Sequence, residues 1–237
     1  MKERKKVGVL GGMGPLATEY FFKEILERTE ASKDQEHIDM IIYNHASLPD
    51  RTDVILNKKY EPFLSLVKED AKALEKMGAE VIVIPCNTTH FFYDLIQEEI
   101  SAPIINMPLE SVRSAKKLFG AKKIGVLATT GTREGRVYEK YCEEEDMEVI
   151  LPSDKNQEIL MNLIYEGIKK EGRADKKKFE IVTKELYEKG AEVLIFACTE
   201  LSYFKGDFQT QTAGRYLDSL SVLAEKTIEA AGAKIKQ

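Results

Sequence analysis

Long apolar runs are missing from this chain of 237 residues, and none approaches the roughly 18 that a membrane-spanning helix needs. Cysteine is scarce. Three thiols, an odd number, do not make a disulfide framework and point to a reducing compartment. Basic blocks interleaved with aromatics are absent as well. With 40 acidic against 35 basic residues the net charge is −5, which excludes nucleic acid as an expected partner. His37 and His45 have no ligand-type spacing and no clustered partners, so no metal site is expected. The basic opening MKERKK is followed by too few apolar residues for a signal peptide. Low-complexity segments and flexible linkers are lacking. The expectation is a soluble cytoplasmic protein with no membrane partner.

What is present is an α/β pattern. A hydrophobic content of 43% spread along the chain can bury a proper core, in one large unit or two smaller ones. Short β-branched runs occur at 7–10, 40–43, 81–84, 103–106, 124–127, 148–151 and 193–196. Nearly all lack strict alternation, as strands covered on both faces do. Helical periods fill the intervals at 16–29, 62–77, 108–118, 158–170 and 176–189, with a last one at 217–230. This alternation implies parallel sheets with right-handed crossovers.

The sequence also echoes itself. KKVGVLGGMGP at Lys5 returns as KKIGVLATTGT at Lys122, and GAEVIVIPC at Gly78 returns as GAEVLIFAC at Gly190. In both copies a cysteine stands eight residues after the glycine, giving Cys86 and Cys198. The fold expected is therefore two pseudo-symmetric parallel-sheet α/β domains with the active site in the cleft between them. Residues 1–105 plus 208–237 would form the N-terminal domain, carrying Cys86 and the C-terminal helix. Residues 106–207 would form the second, carrying Cys198. Ligands of open parallel sheets sit beyond the carboxyl ends of the strands, which would set the two thiols on opposite walls of one cleft.

Paired thiols suit one kind of chemistry in particular. Inverting a carbon centre by proton exchange needs a base on one face and an acid on the other, with the roles exchanged for the opposite enantiomer. Both cysteines precede helix-start residues, Asn87-Thr88-Thr89 and Thr199-Glu200. The free N–H groups and dipole of a helix N-terminus favour a thiolate, so both pKa values are expected to fall. Cys142 has no echo, lies in an acidic helical stretch and is read as inert.

GVLGGMGPLAT near the start, LPDRT at Leu48, PCNTTH at Pro85, LATTGT at Leu127, IYEGIK at Ile164 and ACTE at Ala197 resemble the aspartate/glutamate racemase family, closest to its aspartate racemases. The resemblance implies racemisation of an acidic amino acid without PLP or any other cofactor, with Cys86 and Cys198 as acid and base. It also implies that Arg51 and Lys169 hold the substrate carboxylates, and that the protein is a homodimer. Carbanion charge beside a carboxylate calls for preorganised donors. Backbone groups of Gly12, Met13 and Gly14, with Asn87, Thr88, Thr130 and Thr199, are the candidates. Glu200 would tune Cys198 or start its helix. Two departures stand out: ACTE where the family usually has GCTE, and AGRYLDSLSV in place of a short strand leading to an Asp-Pro step.

Other readings remain open at the level of sequence. Gly12–Ala17 fits a GxGxxA dinucleotide fingerprint, but Asn44-His45 at the end of the second strand supplies no acid for a ribose. His90, one helical turn after Cys86, would make a Cys–His pair or simply pack locally. Lys170 competes with Lys169. A non-catalytic amino-acid-binding protein of the same fold would suit the cleft but has no use for two thiols. Decarboxylation in the same cleft needs only one. Glutamate, or a broad set of amino acids, is the alternative to aspartate.

Overall fold

The computed structural model describes residues 4–209 and 214–236; the parts of the expected domain division at 1–3, 210–213 and 237 lie outside them. All five residues of β1 (Val7–Gly11) are buried, so both faces of this strand are covered. Parallel neighbours flank it, β2 (Met40–Asn44) on one side and β3 (Val81–Val83) on the other, and β4 (Ile104–Ile105) extends the sheet beyond β3. The second half repeats the scheme with β5 (Lys123–Leu127), β6 (Glu148–Ile150), β7 (Val193–Phe196) and β8 (Tyr216–Asp218). The strand orders are β2-β1-β3-β4 and β6-β5-β7-β8, two parallel sheets of one design.

Helices cover each sheet on both faces. Helix Glu61–Lys76 lays Phe63, Val67 and Leu74 against Leu10 and Ile82. On the opposite face, Phe21 and Ile25 of helix Pro15–Arg28 join Leu220, Leu223 and Ile228 of helix Ser219–Ala230 over Val7, Val9 and Val83. The last helix thus returns to the first sheet. In the second half, Val112 and Ala115 of helix Met107–Phe119 pack on Ile124 and Val193, while Phe179, Val182 and Leu186 of helix Lys176–Glu188 pack on Leu194 and Phe196.

The sequence echo reaches the level of single hydrogen bonds. Glu80 N–H donates to Lys6 O at 2.8 Å, and Glu192 N–H donates to Lys123 O at 2.9 Å. The Glu80 carboxylate accepts from Lys6 N–H, and the Glu192 carboxylate from Lys123 N–H, both at 3.0 Å. Gly78 and Gly190, which end the preceding helices, sit at φ +93° and +94°, a region open to glycine and strained for other residues. Both halves stop a helix and launch a central strand in the same way.

Several details depart from expectation. Strand β8 was not foreseen, because three residues beside an exposed Arg215 carry too little periodic signal. Its pairing with β7 keeps the chain in the second sheet past residue 208, and the return to the first half begins at Ser219. The expected helix at 158–170 starts earlier, as Asp154–Asn162, and continues through Leu163–Lys170 in wider π-helical turns. Three short helices, Arg51–Leu56, Thr130–Glu134 and Thr199–Tyr203, are below the length at which periodicity is legible.

A buried polar knot fastens the halves on the side of the last helix. Lys205 Nζ donates to Glu24 at 3.0 Å and to Asp218 at 3.2 Å, and Arg28 donates to Glu24 at 2.7 Å. Burial alone would raise the Glu24 pKa, but Lys205, Arg28 and Ser221 overcome this and lower it to about 2. A carboxylate with a depressed folded pKa adds stability above its unfolded value, and that stability is lost as pH falls toward the folded one. Glu24→Gln should therefore destabilise the protein by roughly 3 kcal/mol near neutrality. Urea denaturation at stepped pH should show the penalty shrinking between the ordinary Glu pKa of 4.5 and about 2.

Candidate active site

Both sheets present their strand ends to one shared cleft. The first half contributes Met13 after β1, Asp50, Arg51 and Thr52 after β2, and Cys86, Asn87 and Thr88 after β3. The second contributes Thr129 after β5, Tyr165 and Lys169 from the π-helical turns, and Ala197, Cys198, Thr199 and Glu200 after β7. These side chains line a single cavity. Its free volume is about 20 Å³, room for roughly one water molecule. Cys86 and Cys198 are buried free thiols in its wall. The structure brings together most of the expected site residues.

Cys86 is held from behind. His90 Nε2 lies 3.2 Å from Met107 N–H and accepts from it, so Nδ1 carries the proton and donates to Cys86 O at 2.9 Å. Burial lowers the His90 pKa to about 4, and the ring stays neutral. Of the two readings of His90, the geometry favours local bonding: the ring grips the Cys86 carbonyl rather than its sulfur.

Arg51 opens helix Arg51–Leu56 and is only 8% exposed, far from the surface arginine that its polar loop suggests. Its Nη1 donates to Pro49 O at 3.1 Å, while the buried Nε has no partner. Burial works against the guanidinium charge, yet Cys86, Asp50 and Glu200 beside it raise its pKa. A buried, incompletely bonded cation is a ready site for an anion.

On the other wall the charges are arranged differently. Cys198 caps helix Thr199–Tyr203, and its Sγ donates to Glu200 Oε2 at 3.0 Å. Burial, followed by the Glu200 charge, pushes the Cys198 pKa well above the ordinary thiol value despite nearby Lys169. The expected lowering by a helix N-terminus is thus overturned at Cys198, because desolvation and a like charge outweigh one short helix. Lys169 Nζ lies 3.3 Å from Glu200 and 4.5 Å from the Tyr165 ring centroid. Burial opposes its charge, but Glu200, Cys198 and Tyr165 raise its pKa. Lys170 instead faces outward, paired with Glu166 at 2.7 Å.

Not every expected donor is available. Asn87 donates to Ser219 Oγ at 3.1 Å and accepts from Tyr138 at 2.7 Å, and Thr88 Oγ1 bonds Thr129 and Thr132 at 3.0 and 2.8 Å. Their side chains line the cavity but are committed to the seam between halves. Thr130 lies outside: its N–H donates to Met161 Sδ at 3.1 Å, and Thr129 takes its place in the wall. Gly12 and Gly14 line a neighbouring chamber rather than the thiol cavity, and Gly12 N–H donates to Thr18 Oγ1 at 2.9 Å. Met13 does reach the thiol cavity. Cys142 is buried in the second core, where burial lifts its pKa to about 12.

Four polar wall residues were not anticipated, Asp50, Thr52, Thr129 and Tyr165, and Ala197 of ACTE joins them. The Asp50 carboxylate caps helix Arg51–Leu56, accepting from Thr52 N–H and Asp53 N–H. It also accepts from the Tyr165 hydroxyl at 3.1 Å, a bond across the cleft. All four stand inside motifs already singled out, LPDRT, LATTGT and IYEGIK, one or a few residues from the positions chosen.

A family model described as Asp/Glu/Hydantoin racemase matches residues 10–227. The broad specificity amino-acid racemase RacX of Bacillus subtilis (strain 168) is 28% identical over 229 residues, covering 94% of this chain and 96% of that protein. Among solved structures, Picrophilus torridus aspartate racemase is similar with a TM-score of 0.84 at 26% identity, over 98% of this chain and 96% of that one. An aspartate racemase homologue from Pyrococcus horikoshii OT3 gives 0.77 at 28% identity, over 96% of this chain and 99% of that one. These matches run through both halves, and the chain belongs to the Asp/Glu/hydantoin racemase family as an amino-acid racemase.

Proposed function

We propose that this enzyme racemises aspartate by proton exchange between two thiols, Cys86 and Cys198. The observation that carries the reading is that two equivalent strand-end cysteines, one from each half, line the same buried cavity. In one direction the Cys86 thiolate, beside the Arg51 cation, takes the α-proton. The C–H electron pair is left on the α-carbon and spreads into its carboxylate. Cys198 S–H then delivers its proton to the opposite face and is left as the thiolate. For the other enantiomer the roles exchange, so no proton or electron is gained or lost overall.

Arg51, with its unpartnered Nε, is suited to take a carboxylate, and Lys169 is the second cation within reach of the cavity. Met13, Asn87, Thr88 and Thr199 shape the space around the α-carbon, and Glu200 holds the Cys198 proton in place. A binding protein without catalysis would have no use for this pair of thiols. The homodimer implied by the resemblance and the cytoplasmic location expected from the composition belong to the same proposal.

Incubating single enantiomers of aspartate in deuterated buffer tests the mechanism. Cys86→Ser and Cys198→Ser should each lower racemisation by about 10²–10⁴-fold, with α-deuteration of one enantiomer surviving in at most one of them. Full racemisation by either variant would remove the two-thiol assignment.

The pH–rate profile supplies a separate check. Activity needs one thiol still protonated, so the raised Cys198 pKa should carry the alkaline limb of kcat/KM above the ordinary thiol range. Glu200→Gln takes away a neighbouring negative charge and should move that limb to lower pH. An unmoved limb would show that Glu200 does not tune the thiol.

A further inference from the structure

We propose that the chamber adjoining the thiol cavity receives the substrate side chain and admits uncharged side chains several carbons long; this rests on the two-thiol racemase reading above. The chamber has a free volume of about 270 Å³, more than ten times that between the thiols. Leu16, Ala17 and Ala46 line it from the first half, and Ile168 and Tyr203 from the second. Leu16 and Tyr203 leave 48% and 42% of their surfaces exposed, so apolar area is available to a ligand there.

The two spaces share a wall. Arg51, Lys169, Thr199 and Glu200 line both, and the Lys169–Glu200 pair at 3.3 Å stands between them. The shared wall offers a substrate held between the thiols a route for its side chain. A side chain the length of aspartate's ends at the wall, against the cations. A longer one continues into the chamber once Lys169 swings aside.

Charge admits a neutral occupant as well as aspartate. The thiol cavity is lined by two cations, Arg51 and Lys169, and two anions, Asp50 and Glu200. An amino acid with an uncharged side chain brings one carboxylate and one ammonium and leaves this balance intact. Aspartate can be accommodated by Arg51, but nothing in the balance requires an acid. The apolar lining of the chamber fits the alternative directly.

The test follows α-deuteration of L-alanine, L-aspartate, L-methionine and L-leucine by the full-length enzyme. Methionine and leucine should exchange, and Cys86→Ser should abolish their exchange. Ala46→Phe, at an exposed position of the chamber wall, should lower the methionine-to-alanine rate ratio by at least about tenfold, the scale on which apolar pockets discriminate. Leu16→Trp, from helix Pro15–Arg28, should do the same. Thiol-dependent exchange of aspartate or alanine without methionine or leucine would overturn the chamber proposal and leave the racemase reading standing. Equal slowing of all four substrates by the chamber variants would mark the space as a passage and overturn it too. Failure of all four to exchange would sink the racemase reading itself, and this inference with it.

Discussion

The spacing of the two cysteines depends on a buried hydrogen-bond seam whose members are their chain neighbours. Asn87 and Thr88, directly after Cys86, bond Tyr138, Thr129 and Thr132 of the opposite half and Ser219 at the start of the last helix. Ser219 Oγ in turn donates to Phe196 O at 2.6 Å, two residues before Cys198. The path from one thiol to the other therefore runs through a few short bonds shielded from water. Each such bond contributes about 1 kcal/mol, but an unmatched buried hydroxyl or amide costs about 1–3 kcal/mol, so the seam tolerates one arrangement and penalises others. Backbone proximity tightens it further. A Cβ on Gly131 would lie 2.8 Å from Thr52 Cα, which only glycine's missing side chain avoids.

Within that rigid frame the electrostatics are unequal. Arg51 stands beside Cys86, whereas Glu200 accepts the Cys198 proton and its charge discourages ionisation there. Racemisation has an equilibrium constant of one, so the enzyme cannot favour either enantiomer in kcat/KM. Unequal surroundings can only set which thiol carries the proton at rest. On the two-thiol reading the resting proton sits on Cys198. A doubly protonated or doubly ionised pair would lack a partner for proton exchange.

Much of this was legible in the chain before any coordinates, and the residues show why. All seven expected strands formed; the buried central ones, β1, β3, β5 and β7, write themselves as nearly unbroken apolar runs. The duplicated cysteines could be paired because a repeat transmits register: whatever β3 does for Cys86, β7 must do for Cys198. What escaped notice was either short or relational. Strand β8 and helix Thr199–Tyr203 have too few residues to show a period. Tyr165 reaches Asp50 across 115 positions of sequence, and nothing local announces such a bond. The Cys198 pKa went the opposite way to the helix-terminus rule because burial, invisible in a motif, is the larger effect.

On the proposed two-thiol reading, with the side chain in the adjoining chamber, the layout of two spaces makes chemical sense. Proton exchange concerns the α-carbon, its carboxylate and its ammonium, which are common to all amino acids. A thiol cavity of about 20 Å³ leaves little freedom to the reacting atoms. Side chains differ and do not react, so tightness there would restrict substrates without helping the transition state. Placing the side chain beyond a wall of Arg51, Lys169 and Glu200 separates the two demands. Changes at Leu16, Ala46 or Tyr203 can then alter which amino acid is accepted, while the seam that spaces the sulfur atoms stays untouched.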